Sequence, residues 1–259
     1  MTGTPTGPVL VERRSEVLVV TINRPEARNA VNPAVAAGIG RAMDLLDDDD
    51  ELRVGVITGA QGAFCAGMDL RHAAETGERP NIKGRGFAGI VERPSRKPLI
   101  AAVEGAAVGG GCEIALACDL IVAAESARFA LPEVRVGLVP GGGGLFKLPG
   151  RIPYHAAMEM VLTGEAIDAE RAHQLGLVSR VAPDGTALEV ALELAAVIAA
   201  NAPVAVAVAA DVVRRVAAAP GEDWWTGQKP FIERVRATAD AAEGPRAFAE
   251  RRPPRWLGR

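Results

Sequence analysis

Leu99-Ile100-Ala101-Ala102-Val103-Glu104-Gly105-Ala106-Ala107-Val108-Gly109-Gly110-Gly111-Cys112-Glu113 sets the class of architecture this chain adopts. Leu99–Glu104 is a short apolar run with the length and residue types of a buried strand. Three glycines then open onto a helical stretch, Cys112–Cys118. A strand that ends in bare amides at the start of a helix belongs to an α/β fold, and open α/β sheets place their ligands at such strand ends. Upstream, Val54–Gly59 reads as a second strand and runs into Gly62-Ala63-Phe64-Cys65-Ala66-Gly67-Met68-Asp69-Leu70. Two loops of this kind bring amides to one oxygen atom if they converge; the same spacing also suits ordinary glycine turns.

Outward from this stretch, strand-like runs occur at Val9–Val11, Val17–Asn23, Leu120–Ala123 and Val178–Val181. Helical stretches lie at Pro33–Leu46, where Asn32 and Pro33 supply a cap and a first-turn proline, and at Tyr154–Leu162 and Asp168–Leu175. The order is strand, strand, helix, then repeated strand and helix, hence α/β, with no repeat of fixed period in the sequence. From Thr186 the strand signal ends, and Ala187–Ala200, Val204–Ala218 and Trp224–Ala242 read as consecutive helices too apolar to stand alone in water. Residues 1–185 therefore read as an α/β core and 186–259 as a C-terminal helical region that packs on the core or on another subunit. Residues 71–97, broken by glycine and proline and rich in arginine and lysine, read as a mobile, loop-rich segment that shapes a pocket.

The 259 residues carry 29 basic and 32 acidic side chains, for a net charge of −3, so no global positive field draws nucleic acid or an anionic membrane surface. Neither apolar region, 99–124 or 187–219, offers the uninterrupted run of ~20 residues a spanning helix needs. The start, Met1–Pro8, has neither a basic segment nor an apolar stretch, so no secretory signal is read there. Cys65, Cys112 and Cys118 form no C-x-x-C pair and sit in apolar or glycine-rich surroundings, which fits buried free thiols in a reducing cytoplasm. His72, His155 and His173 are too scattered for a metal site. Asp47-Asp48-Asp49-Asp50-Glu51 lacks the alternation of a calcium loop and reads as a solvated turn. Gly84-Arg85-Gly86-Phe87-Ala88-Gly89 matches G-x-G-x-x-G, but it follows no buried strand and Pro94 leaves no room for the required helix, so a nicotinamide cofactor is not expected.

Two glutamates stand beside glycine-rich backbone: Glu113 after three glycines, and Glu133 ahead of Pro140-Gly141-Gly142-Gly143-Gly144. A pair of carboxyl groups in unequal environments divides into an ionised base and a protonated acid, while nearby amides hold a negative oxygen. That combination suits adding or removing water beside a carbonyl. A helix start favours an ionised Glu113 and hence a base there.

Several stretches carry a resemblance: Ile22-Asn23-Arg24-Pro25-Glu26-Ala27-Arg28-Asn29-Ala30, Phe64-Cys65-Ala66-Gly67-Met68-Asp69-Leu70, Ala101–Glu113, Phe129–Gly144 and Met160-Val161-Leu162-Thr163-Gly164. From about Val9 to its C-terminus the chain resembles the enoyl-CoA hydratase/isomerase, or crotonase, superfamily. The resemblance implies a crotonase-like spiral of strand-strand-helix turns, with 186–259 covering the CoA pocket and forming a homotrimer or a dimer of trimers. It implies an acyl-CoA thioester substrate and no resident cofactor or metal, because coenzyme A arrives with the substrate. The backbone amides at Met68 and Gly110 would form an oxyanion hole. Glu113 and Glu133 together place the chain on the hydratase branch: Glu113 deprotonates the water that attacks C3, Glu133 serves C2, the two roles being open to exchange, and the Gly141 amide positions the water. Ala27, Arg28, Ala66, Lys229 and Phe231 would contact CoA. Function is then reversible hydration of a trans-2-enoyl-CoA in acyl-CoA degradation. The ending Glu243–Arg252 with Pro254–Arg259 and the stretch Phe129–Glu133 are similar to the subset acting on crotonobetainyl-CoA. An isomerase needing one acid/base residue is a further alternative, and a non-catalytic binding protein the remotest.

Overall fold

The computed structural model describes residues 7–93, 95–218 and 227–259. β-Branched runs pair as the sequence leads one to expect, in a six-stranded sheet ordered β1 (Val9–Arg14), β2 (Val17–Ile22), β3 (Val54–Gly59), β6 (Leu99–Val103), β8 (Leu120–Ala124) and β11 (Arg180–Ala182). β1 and β2 form an antiparallel hairpin, and every later neighbour is parallel. β6 is buried along its whole length, as a central parallel strand covered on both faces should be.

Strands of two and three residues escaped the sequence reading. β7 (Ala106–Val108), β9 (Arg128–Ala130) and β10 (Ile167–Asp168) build a second sheet in the order β10-β9-β7, and a single bridge from Cys65 to Ala107 extends it to the chain after β3. Each of β3, β6 and β8 is thus followed by a short piece of the second sheet and then by a helical turn: α2 (Leu70–Thr76), α3 (Gly110–Ala117) and the 3₁₀ turn Pro132–Val136. Gly105, at φ +56°, makes the corner between β6 and β7, where a Cβ would meet the Gly62 carbonyl oxygen. The strand-strand-helix repetition is spatial and leaves no repeat in the sequence.

α1 (Pro33–Asp48) starts where its cap predicts: the Asn32 side chain accepts from Val35 N at 3.0 Å, with Pro33 next in line. It buries Val35, Ile39, Met43 and Leu46 in a core shared with Ile57, Phe64, Leu99, Ile114 and Phe129. Residues 71–97 depart from the loop expected of them. The G-x-G-x-x-G match lies in a small antiparallel pair, β4 (Asn81–Ile82) and β5 (Gly86–Phe87), and Ala88, Ile90 and Val91 are buried in the core. Buried Arg85 pairs with Asp44 of α1. The acidic run is no simple solvated turn either: Asp47 is buried and accepts from Ser95 Oγ at 2.6 Å and Arg96 N at 2.8 Å, pinning the end of the segment to α1.

α4 (Gly144–Lys147) and α5 (Tyr154–Thr163) lie between β9 and β10 in the chain, and α6 (Ala169–Gln174) follows β10. α7 (Ala187–Ala199) then covers the outer face of the main sheet, presenting Ala187, Ala191, Ala195 and Ala199 to Val17, Val54, Val56, Ile100 and Val122. α8 (Pro203–Ala218) leaves it at 111°; among the described residues no single helix is long and apolar enough to cross a membrane. The helix expected over Trp224–Ala242 is instead two, Lys229–Arg236 and Ala239–Glu250, with Trp224 outside the described residues. Thr238 breaks it: its Oγ donates to the Val235 carbonyl and accepts from Ala241 N, ending one helix and capping the next.

Candidate active site

The two glycine loops do converge. A cavity of about 660 Å³ opens between them, lined among others by Ala66, Met68, Gly110, Glu113, Glu133 and Gly141. The loop after β3 is fixed by a bridge in which Val31 N donates to the Gly67 carbonyl (2.8 Å) and Asp69 N to that of Val31 (2.9 Å). Arg24 locks the bridge, donating to Asp69 Oδ2 at 2.9 Å and to the Ala30 carbonyl at 2.7 Å. Asp69 also caps α2 through His72 N. The chain around Met68 is therefore held while its own amide donates to no group among the described residues.

From the other side, Gly109 N donates to the Ala130 carbonyl at 2.8 Å, and Gly109 at φ +55° turns the chain into α3. The Gly110 amide, at the open N-terminus of α3, also has no partner among the described residues. Only glycine at 67 allows the approach, since a Cβ there would lie 3.0 Å from Gly110 N and 2.8 Å from the Val108 carbonyl oxygen. Two unpaired amides face a cavity, the geometry in which backbone donors hold a developing oxyanion. Phe87 stacks so tightly over Gly110 that a Cβ there would be 2.5 Å from the ring.

Glu113 projects from the first turn of α3 and is 3% exposed. Its Oε1 accepts from Gly142 N at 2.6 Å and Gly144 N at 3.0 Å. A Cβ on Gly142 would lie 2.5 Å from Oε2, so the glycine run is the carboxylate's cradle. Burial pushes the Glu113 pKa up, while the Gly144 and Gly142 amides and the Lys147 charge pull against it. Glu133 lies in the first turn of the 3₁₀ segment, against Gly109; its buried Oε2 has no hydrogen-bond partner among the described residues. Burial raises its pKa too, its own backbone N–H opposes that, and the Glu113 charge adds to the rise. One acid is cradled by donors and the other is left short of them.

Gly141 lines the cavity beside this pair. Ala66 lines it as well, and its N–H donates to the Arg28 carbonyl at 3.1 Å, which brings Ala66 to the turn Pro25–Ala27 and to Arg28. Buried Asn29 ties that turn to the loop after β3 through the Ala60 and Ala63 carbonyls. Lys229 and Phe231 do not line the cavity: Lys229 is exposed, and Phe231 packs under Arg215 with the guanidinium carbon 5.4 Å from the ring centre. Gly142, Gly144 and Phe87 were given no site role from the sequence, although the four-glycine run signals the first two. The three cysteines are buried and free, and burial pushes the Cys65 thiol up to about 12. Among the described residues no three His, Cys, Asp or Glu side chains cluster as a metal site requires.

Relatives match this chain over nearly their whole length. Enoyl-CoA hydratase EchA19 of Mycobacterium tuberculosis is 42% identical, the match covering 96% of each chain. Carnitinyl-CoA dehydratase of Salmonella typhi is 43% identical, over 95% of this chain and 97% of that protein. The crystal structure of an enoyl-CoA hydratase from Mycobacterium tuberculosis superposes with a TM-score of 0.95 at 52% identity, covering 98% of this chain and all of the other. With the enoyl-CoA hydratase/isomerase family model matching residues 12–259, the chain belongs to the enoyl-CoA hydratase/isomerase family.

Proposed function

We propose that this chain catalyses reversible syn addition of water to a trans-2-enoyl-CoA, giving a 3-hydroxyacyl-CoA. The observation that carries the reading is the shared cavity: two glutamates of unequal hydrogen bonding beside two unpaired amides. The Met68 and Gly110 N–H groups donate to the thioester oxygen and stabilise the enolate formed as C3 is attacked. Glu113, cradled by amides and at a helix N-terminus, is the base that takes a proton from water. Glu133, short of donors and repelled by Glu113, holds the proton delivered to C2. Gly141 positions the water between them. Ala66 lines the cavity, and Ala27 and Arg28, beside it, are the further contacts this proposal gives to the CoA. Lys229 and Phe231, outside their own chain's cavity, reach CoA in this proposal across an interface in a homotrimer or a dimer of trimers. CoA enters with the substrate, and no resident cofactor or metal takes part. Three free buried thiols fit a reducing cytoplasm.

A carnitine-derived substrate keeps the same chemistry. Phe87 and Glu92 in the cavity wall favour it, because a trimethylammonium group binds aromatic faces and anions. Among the described residues Phe87 is the one aromatic in that wall, so the general hydratase stands first. The test is loss of the ultraviolet absorbance of the conjugated thioester of crotonyl-CoA, run beside crotonobetainyl-CoA and longer enoyl-CoAs. Glu113→Gln and Glu133→Gln are each expected to lower kcat by ~10²–10⁴ with the fold retained. A fully active Glu133→Gln protein would end the two-carboxylate mechanism, and an isomerase would survive Glu113→Gln.

A further inference from the structure

Lys147 ends α4, directly behind the loop that cradles Glu113. Its stem runs past Gly143, where a Cβ would sit 3.3 Å from Lys147 Cε, and its Nζ donates to the Val91 carbonyl at 2.7 Å. Val91 is buried, and the next residue, Glu92, lines the cavity. One side chain thus joins the glycine loop to the 71–97 segment on the facing wall. Val91 needs only a single donor, which a neutral side chain would supply without the cost of burying an ammonium; burial indeed lowers the Lys147 pKa. Lys147 packs against Gly143, between the two glycines whose amides hold Glu113 Oε1, so its charge lies behind the carboxylate across that loop and each group acts on the other. The other groups facing the pair do not replace it. Glu133 opposes ionisation of Glu113, Cys112 and Cys118 are buried thiols held protonated, and Arg151 repels Lys147.

We propose that Lys147 is a positioning residue for Glu113, fixing the glycine cradle through Val91 and supplying the positive charge that balances the carboxylate. It does not line the cavity and so touches no substrate. The role rests on the reading of Glu113 as the base.

Three variants separate tether from charge: Lys147→Arg keeps both, Lys147→Gln keeps a donor without charge, and Lys147→Met keeps neither. Glutamate carboxyl carbons labelled with ¹³C are titrated by NMR in the ligand-free protein, with Glu113 assigned from the Glu113→Gln spectrum. Lys147→Gln should raise the Glu113 titration by ~1 pH unit, the low end of what a neighbouring opposite charge does. The acid limb of the kcat/KM profile should follow it, and Lys147→Arg should restore both. Lys147→Met should show the same shift with a further loss of kcat; if it does not fold, the Gln and Arg pair still decides. A Glu113 titration unmoved in Lys147→Gln, whether or not activity falls, overturns the proposal. A wild-type protein inert toward every enoyl-CoA would instead remove the hydratase reading, leaving the titration to judge Lys147 alone.

Discussion

Glu113 and Glu133 are raised by the same first cause, burial, and differ in what surrounds each oxygen. For Glu133 the sign has a consequence for stability. A carboxyl with a raised pKa keeps its proton in the folded chain at a pH where the unfolded chain has released it, so stability is lost as pH rises through that window. Glu133→Gln removes the titration and fills the same space. Its Tm at pH 8 should exceed that of wild type, with the gap closing as pH falls toward the ordinary glutamate value near about 4.3; an unchanged or lower Tm at pH 8 would contradict the assignment. Gly142→Ala tests the cradle, because its Cβ would lie 2.5 Å from Glu113 Oε2. We expect kcat to fall by ~10² or more with an unchanged circular dichroism spectrum, as for loss of a positioned acid/base group. That both glutamates reach one cavity was legible in the sequence through the motifs around them, since either carboxylate alone would read as a surface or salt-bridged residue. Lys147 was not, since nothing in Gly144-Leu145-Phe146-Lys147 marks one lysine as turned inward until the Val91 carbonyl is in place.

At the scale of elements, legibility followed length. Most strands of the main sheet and α1 were visible because apolar runs of five or six residues and an Asn-Pro start leave local signals, whereas three-residue β11 (Arg180–Ala182) was only approximated by Val178–Val181. β7 and β9 were not, because three residues carry no periodicity and their partners are distant in sequence: Ala107 pairs with Phe129, and Asp168 with Arg128. The segment 71–97 misled for a related reason. Its glycines suggested a loose loop, whereas Arg85, Asp47 and Ile90 secure it by contacts to α1 and the core that no local window contains. α7 shows what small side chains achieve when spacing and burial agree. Four alanines at every fourth position let the helix lie close on the sheet, and no member of that packing cluster lines the cavity. Ala195→Leu should therefore cost ~1–3 kcal/mol through overpacking, read as a lower urea midpoint, with kcat below the transition unchanged. A parallel loss of kcat in the folded protein would mean that the outer layer couples to the site.

The whole molecule leaves a surface that one chain does not cover. Along 134–162, Val136, Leu138, Val139, Leu145, Tyr154 and Leu162 are exposed, and Phe146 is 73% exposed. Monomeric proteins seldom leave so many large apolar side chains in water together, and each would contribute on the order of 1.5–3 kcal/mol if fully buried. Val136, Leu138 and Val139 belong at once to this surface and to the cavity wall, so assembly would both cover the apolar face and finish the pocket. Sedimentation equilibrium at micromolar concentration should accordingly return three or six times the 26.9 kDa chain. Phe146→Asp, which puts a charge where an apolar contact is expected, should shift the distribution toward monomer. Because the cavity wall would then open to water, kcat/KM should fall in step with the loss of oligomer and recover as protein concentration rises. A wild-type monomer, or a monomeric Phe146→Asp protein with full activity at every concentration, would show that one chain completes the site and that the exposed face serves another purpose.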